Sequence, residues 1–526
     1  MKLIIKTIYL IKYYLHNKKY FQRNITNSNN IVLLERYNYF PSLVAFSYFL
    51  NLLSKKYNAK IYSYNPRISS FSKQIRFVLN PKNLIMKFLY KSFNVSKNIT
   101  PIISTTQKRI SDQLFKKIYS KIKKKEDILK VKILNIHIGD LIYDEYLRFY
   151  KEPTINPENK KFQEHLNNMI SLFLFWNDYF IENKVKSIVI SHSVYAIAII
   201  SRIAISKKIK TYNIGVCYAY CLDKKNNLRL SGFDKYKTDF KLISKLTKKN
   251  LINYGKKELH NYLYGEKKFL ISNYMYSTPF KKINIISNKK LKEKILVASH
   301  CLTDAVHAYG SFQFPDFYCW LEFLGKLSKK LDYEWIIKIH PNQYDLNLNE
   351  MKKFVLKFPK FELLKKEMSH NEILNSYNIL SVLTVYGSIG HEYPLFGVPV
   401  INASTNNPHA TYNFNININS KKELKKIIFN IKKIKKPVAK KLKDEIYEFY
   451  YMRHLSEYYC INNHDKIIVK LGNNYNSSLF YKNWIEKFNI KHHNKVLRDY
   501  DNFIQSNKFR MLADNTKNRS IYLKIF

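Results

Sequence analysis

The chain has 526 residues with 46% hydrophobic and 15% aromatic content, enough for two or three domains with full cores, which excludes a disordered basic tail. Its 90 Lys+Arg against 39 Asp+Glu leave a formal charge of +51, suited to nucleic acid, an anionic membrane surface or a phosphorylated substrate. The lysines are spread among Asn, Ile and Tyr, as AT-rich coding would leave them, and no nucleic-acid module accompanies them, so nucleic acid is set aside and an anionic lipid surface is kept as a partner.

The opening MKLIIKTIYLIKYYLHNKKY is apolar only in short bursts between lysines and has no small-residue cleavage site, so it does not read as a signal peptide. It reads either as an amphipathic membrane-surface helix or as a helix packed on the first domain. Five cysteines (Cys217, Cys221, Cys301, Cys319, Cys460) form neither a CxxC pair nor an even framework, which points to reduced thiols in a cytoplasm and away from a metal site. No run of about 18 apolar residues occurs, so no transmembrane span is expected.

Ile31 to Glu35 reads as a strand ending in a carboxylate, followed after Pro41 by an apolar helix through Tyr57 and a strand at Ala59 to Tyr62. The basic stretch from Pro66 to Lys125 reads as helices and loops. Val131 to Ile136 reads as a strand that runs into His137-Ile138-Gly139-Asp140, where parallel-sheet enzymes place chemistry. A long helix from Phe162 to Asn183, a strand at Ser187 to Ile190 ending in Ser191-His192-Ser193, a helix from Tyr195 to Ser206 with Arg202, and a strand at Lys210 to Ile214 complete an open α/β domain.

A polar, lysine-rich stretch then leads to a linker near Asn284 to Lys292. The expected domains are 1–285, an α/β acceptor-side domain; 286–430, an α/β nucleotide-binding domain; and 431–526, a helical basic extension packing partly on the first domain. The second domain opens with the strand Lys294 to Ser299, leading to His300 and Asp304, then a helix from Phe317 to Leu331 and a strand from Glu334 to Ile339. Pro341 ends that ladder and fixes the turn. Period-two alternation puts Lys338 and His340 on one side at the strand terminus, where both could face one phosphate.

Ile379 to Asn402 packs strand, tight turn, short helix and strand together. Its turn, Tyr386-Gly387-Ser388-Ile389-Gly390, offers backbone N–H groups to an anion. Glu392, just past it, could hold ribose hydroxyls or cap its own helix.

The strand ending in KIHPN, followed about 40 residues later by SVLTVYGSIGHEYPLFGVPVI, resembles the carboxyl-terminal donor domain of GT-B-type glycosyltransferases of bacterial capsule and surface-polysaccharide synthesis. SHCLTDAVHAYGSFQFPDFYCWL is similar to the segment preceding the His-Pro motif in capsule-biosynthesis proteins of that group, which is related to the Kdo and sialic acid transferases. The resemblance spans Lys294 to Asn402 and is looser over Ile31 to Ile214.

It implies two Rossmann-like domains facing across a cleft and metal-independent transfer from a nucleotide-sugar, CMP-linked by preference with UDP- and GDP-sugars open. The acceptor would be a glycan or lipid-linked glycan. His340 and Pro341, beside Asn342, would meet the nucleotide; Gly387, Ser388 and Gly390 the phosphate; Glu392 the ribose; and His300, Asp304 and Tyr386 would line the same pocket. Of the cations that commonly hold a diphosphate, only Lys338 is near. An inverting enzyme needs a base in the first domain, and the candidates are Asp140, His192 and Glu35, in that order. A nucleotide-sugar 2-epimerase, a polyol-phosphate transferase or a non-catalytic assembly protein of the same fold are the alternatives.

Overall fold

The computed structural model describes residues 2–21, 28–68, 81–216, 218–228, 230, 235–241, 243, 245–264, 280–281, 292–310, 313–340, 344–455, 464–506 and 508–511. The chain forms two compact units that are not contiguous in sequence, unlike the boundaries expected at 285 and 430. One gathers Met1–Ile142, Pro157–Arg229 and Glu457–Phe526; the other gathers Tyr143–Asn156 and Leu230–Ser456.

The first unit begins with the helix α1 (Lys2–Phe21) and is built on a sheet of β1 (Ile31–Glu35), β2 (Lys60–Tyr64), β3 (Val95–Ile99), β4 (Val185–Ile190), β5 (Lys210–Ile214) and β6 (Ala219–Leu222), in the order β3-β2-β1-β4-β5-β6. All neighbours pair in parallel except β5 and β6. The central strand IVLLE is buried at every residue, as a parallel strand covered by helices on both faces must be. The helix α2 (Phe40–Tyr57) carries Pro41 in its first turn, where no amide is missed, and stops at Asn58 in the left-handed region. The helices α3 (Pro81–Lys91), α4 (Gly139–Tyr150), α5 (Lys160–Glu182) and α6 (Ile199–Ser206) follow in the chain.

Two local readings change. The strand expected at Val131 to Ile136 is a hairpin, Lys132–Ile133 against Ile136–His137, because Leu134 and Asn135 both take positive φ and fold the apolar run back on itself. Within the stretch read as helices and loops, β3 is a strand with only its end residues buried, so VSKNI lacks the alternation that marks a strand.

The second unit carries a fully parallel sheet of β7 (Glu293–Ala298), β8 (Glu334–Lys338), β9 (Phe361–Leu363), β10 (Asn378–Thr384), β11 (Val400–Asn402) and β12 (Ile416–Asn417), in the order β9-β8-β7-β10-β11-β12. The helix α7 (Phe317–Ser328) starts at the buried Asp316, whose carboxylate accepts from the Cys319 amide at 2.7 Å. The same carboxylate takes the Tyr143 and Thr154 hydroxyls at 2.5 and 2.6 Å, tying the segment Tyr143–Asn156 into this unit.

Both sheets are α/β and reverse strand order at their first strand: β1 lies between β2 and β4, and β7 between β8 and β10. In open α/β sheets that reversal leaves a crevice beyond the carboxyl ends of the strands, which is where ligands bind. The chain beyond Lys421 is largely helical, as expected. The helix α8 (Lys440–Tyr450) belongs with the second unit, whereas the helices Ser478–Glu486 and Ile490–Ser506 return to the first. There the Tyr481 ring stacks on Tyr13 at 3.8 Å, and Tyr48 Oη meets His493 Nδ1 at 2.7 Å.

Candidate functional site

In the second unit three strand ends come together at the reversal. β7 delivers Ser299 and His300, β8 delivers His340, and β10 delivers the turn Tyr386-Gly387-Ser388. The Ser299 amide donates to the Lys338 carbonyl at 3.1 Å, extending the β7–β8 pairing to the edge.

His300 is buried and sits under the turn. Its Nε2 accepts from the Val385 amide at 3.2 Å and the Tyr386 amide at 3.4 Å, with Thr384 Oγ1 at 3.2 Å, and its ring stacks on Phe317 at 4.6 Å. Burial, and then the neighbouring His340, push its pKa down to about 3, so it is a neutral acceptor that pins β10 to β7. Its expected place among the pocket-lining residues is thus beneath the turn.

Tyr386 is half-buried; its hydroxyl donates to the Val306 carbonyl at 2.9 Å, and its ring lies against Tyr309 at 4.2 Å. Ser388 is exposed at the lip. The Gly387 amide meets Thr384 Oγ1 at 3.3 Å, and the Gly390 and His391 amides turn inward to Gly387 and Ser388 carbonyls at 3.0 and 2.9 Å. Among the described hydrogen bonds, the amides of Ser388 and Ile389 have no acceptor. The helix that follows is a single turn of four residues, Ile389–Glu392, so its dipole adds little and the turn itself is the anion-compatible feature. Gly390 cannot carry a side chain, since a Cβ there would lie 2.5 Å from His409.

Two expected contacts are engaged elsewhere in this structure. Lys338 Nζ donates to the carbonyls of Lys365, Lys366 and Met368 at 3.2, 3.0 and 2.5 Å, which uses all three ammonium protons on a neighbouring loop. It shares a strand face with His340 but does not share its task. Glu392 is 1% exposed, with the Tyr262 hydroxyl at 3.2 Å from Oε1 and the Ser388 hydroxyl also bonded to it. Burial raises its pKa to about 7, against those two hydroxyl bonds. It braces the turn from behind rather than presenting itself to a ribose. Pro341 and Asn342 lie outside the described residues.

His340 is half-buried, its pKa lowered by burial against the opposing charge of Asp304. Asp304 is in turn 3.6 Å from Arg148, a partly exposed guanidinium on the α4 segment of this unit. Sequence reasoning gave no site role to Arg148 or to Tyr309: Tyr309 lies within the segment Ser299 to Leu321 that carries the resemblance, whereas Arg148 reaches this edge from a distant part of the chain.

The first unit has its own strand-order reversal at β1 and β4. Glu35, at the end of β1, is 1% exposed and accepts from the Ser191 amide at 2.6 Å and the Ser191 hydroxyl at 2.7 Å, both at the end of β4. Burial raises its pKa to about 7 despite those bonds and one from the His192 amide. Ser191 Oγ lies 2.7 Å from His192 Nδ1, and the half-buried His192 ring meets the Tyr37 ring at 5.4 Å. Glu35 and His192 are thus brought together through Ser191. Four residues on, the buried Tyr195 holds φ 64° and ψ −171°, a region that normally demands glycine, and such strain concentrates at functional edges.

Asp140 is not part of this group. With no sheet strand at Val131 to Ile136, it falls in the first turn of α4, where its carboxylate is paired with the buried Arg202 at 2.7 Å and lies 3.3 Å from His137. That geometry joins α4 to α6.

No protein-family model matches the chain, and no curated protein sequence matches it. Among solved structures it is similar to the UDP-GlcNAc 2-epimerase of Methanocaldococcus jannaschii in complex with UDP-GlcNAc and UDP, at 11% identity over 79% of this chain and 97% of that one, with a TM-score of 0.24. It is similar to a glycosyltransferase from Rickettsia africae at 11% identity, 92% and 100% coverage and a TM-score of 0.25. It is also similar to a ugt transferase from Siraitia grosvenorii in complex with UDP, at 11% identity, 87% and 99% coverage and a TM-score of 0.22. At such scores the chemistry has to be read from the chain's own residues.

Proposed function

We propose that the chain is a metal-independent glycosyltransferase that moves a sugar from a nucleotide-sugar donor to a growing capsular or lipopolysaccharide-type glycan. The observation that carries this reading is the edge of β7, β8 and β10, where an exposed glycine-serine turn, an aromatic pair, His340 and Arg148 converge at the strand-order reversal. In this reading the Ser388 and Ile389 amides and Arg148 offset the leaving phosphate's charge, and His340 with Pro341 and Asn342 meets the nucleotide. A CMP-sugar is the preferred donor, with UDP- and GDP-sugars tested beside it.

His192 is the acceptor-side base, with Ser191 and Glu35 behind it. The Ser191 hydroxyl has one proton; when it goes to Glu35, Ser191 Oγ accepts from His192 Nδ1–H and leaves the Nε2 lone pair for the acceptor hydroxyl. The enzyme would work in the cytoplasm, peripheral on the inner membrane, where a lipid-linked glycan is reached.

The test is a thermal-shift titration with CMP-, UDP- and GDP-sugars, followed by nucleotide release with and without acceptor glycan. Acceptor-dependent release supports the transferase. Epimer formation without acceptor would assign the 2-epimerase instead, and the absence of any donor-induced shift would leave a non-catalytic assembly protein. His340→Ala and Arg148→Ala are expected to weaken donor binding by about tenfold or more while the protein stays folded; unchanged affinity in both would remove the assignment.

A further inference from the structure

The helix α1 is two-sided. Leu10, Tyr13, Asn17 and Phe21 are buried, and the helix Ser478–Glu486 covers that face. On the opposite side Ile8, Ile11 and Leu15 are 43%, 44% and 60% exposed. At about 100° per residue these three fall within about 60° of one another, and the exposed Lys12 and Lys19 follow directly beside them. A solvent-facing helix side is ordinarily polar; this one is an aliphatic stripe edged by lysines.

The stripe continues on α3. Tyr14 stacks on Phe88 at 4.4 Å, joining the two helices side by side, and α3 exposes Leu84, at 53%, together with Lys87 and Lys91. Neither helix contains an acidic residue: α1 carries Lys2, Lys6, Lys12, Lys18 and Lys19, and α3 carries Lys82, Lys87 and Lys91. Aliphatic side chains on the outer ridge with tyrosines and lysines at its margins make the pattern of a helix pair lying in a lipid headgroup layer. Among the described residues no helix is long and apolar enough to cross a membrane, so contact is made on the surface.

We propose that the outer ridge formed by Ile8, Ile11 and Leu15 of α1 and Leu84 of α3, flanked by Lys12, Lys19, Lys87 and Lys91, docks on an anionic phospholipid surface. The occupant is a lipid layer because a protein partner would have to match eight lysines and no acid over two helices, whereas anionic headgroups supply that complement together with an apolar phase for the aliphatic ridge. The surface is distinct from the donor edge, so its failure and that of the transferase reading can be told apart.

The experiment is co-sedimentation of the full chain with phosphatidylcholine vesicles and with phosphatidylcholine–phosphatidylglycerol vesicles. Binding to the anionic vesicles only is expected. Because a charge of +51 could bind them without any ridge, the deciding variant keeps the charge: Ile11→Gln with Leu15→Gln is expected to weaken partitioning about tenfold. Lys12→Glu with Lys19→Glu should weaken it further and flatten its dependence on salt.

Wild-type partitioning by the glutamine variant would overturn the proposal in favour of bulk charge, as would absence of binding to either vesicle. A change in oligomeric state without vesicle binding would overturn it in favour of a second copy. An unchanged melting temperature and an unchanged nucleotide-induced shift certify that each variant is folded and its donor site intact. Hydrogen exchange on the wild-type chain is a second readout, with slowed exchange in residues 8–19 expected only on anionic vesicles.

Discussion

The Ser191 hydroxyl stands 2.7 Å from His192 Nδ1 and 2.7 Å from the nearer oxygen of Glu35. A buried carboxylate, a hydroxyl and an imidazole form one chain across the ends of two adjacent parallel strands. In the proposed reaction this link would orient the imidazole and select its tautomer, which makes Ser191 a positioning residue.

Ser191→Ala is expected to lower kcat by about 10- to 100-fold with little change in KM, because the base would be present but unheld. Glu35→Gln keeps an acceptor for Ser191, so it should retain more activity and lose any inflection near pH 7 from the pH–rate profile. Steady-state kinetics from pH 5 to 9 would check both. A rise in KM with kcat unchanged in Ser191→Ala would argue against a role for His192 as base.

Asp144 and His307 form a buried pair in the second unit: Asp144 Oδ1 lies 2.7 Å from His307 Nδ1, and Oδ2 accepts from the His307 amide at 3.1 Å. Asp144→Ala removes the carboxylate that serves both nitrogens in a buried site and is expected to cost about 3 kcal/mol. A urea-unfolding midpoint within error of wild type would show that the pair contributes nothing.

Lys338→Met should destabilise, since three loop carbonyls lose their donor, yet leave donor affinity within about twofold in the folded fraction. Thermal melting and nucleotide titration on the same sample separate the two effects. A large loss of affinity at unchanged melting temperature would return Lys338 to the phosphate.

Buried histidines decide the pH dependence of stability. Burial lowers His300, His370 and His391 to about 3 and His16 and His493 to about 4, and it lowers His409 and His454 as well. Between those values and 6.5 the unfolded chain binds protons that the native chain refuses, so this stability is present above pH 6.5 and lost as pH falls. Glu35, Glu392 and Glu448, each raised to about 7, act with the opposite sign and lose stability as pH rises from 4.5 to 7. The seven histidines outweigh the three glutamates, so unfolding midpoints should peak near pH 6.5 and fall steadily toward pH 4. A midpoint that climbs on acidification from pH 6.5 would contradict this balance.

Much of the fold was legible because parallel strands buried on both faces leave continuous apolar runs, as in IVLLE, KILVA and SVLTV. The hairpin at Leu134-Asn135 was not, since Asn135 suits positive φ but Leu134 before it gives no such signal. At the second-unit edge the motif marked the turn after β10, yet it could not say that His300 lies beneath it, that Glu392 is sealed behind it, or that Lys338 is committed to a loop 27 to 30 residues away.

By itself, then, the sequence determined the alternation of strands and helices, the strand ends that carry polar groups and the basic, aliphatic character of α1, because periodicity and composition are local quantities. Only the tertiary structure decided which of those groups meet. It joined Glu35 to His192 through Ser191, drew Asp140 away to Arg202, and divided Tyr143–Asn156 and the last helices between units in an order the chain does not follow. The physical reason is that a side chain's task is set by what fills its hydrogen bonds, and those partners lie 62 residues off for Asp140 and 156 for Glu35.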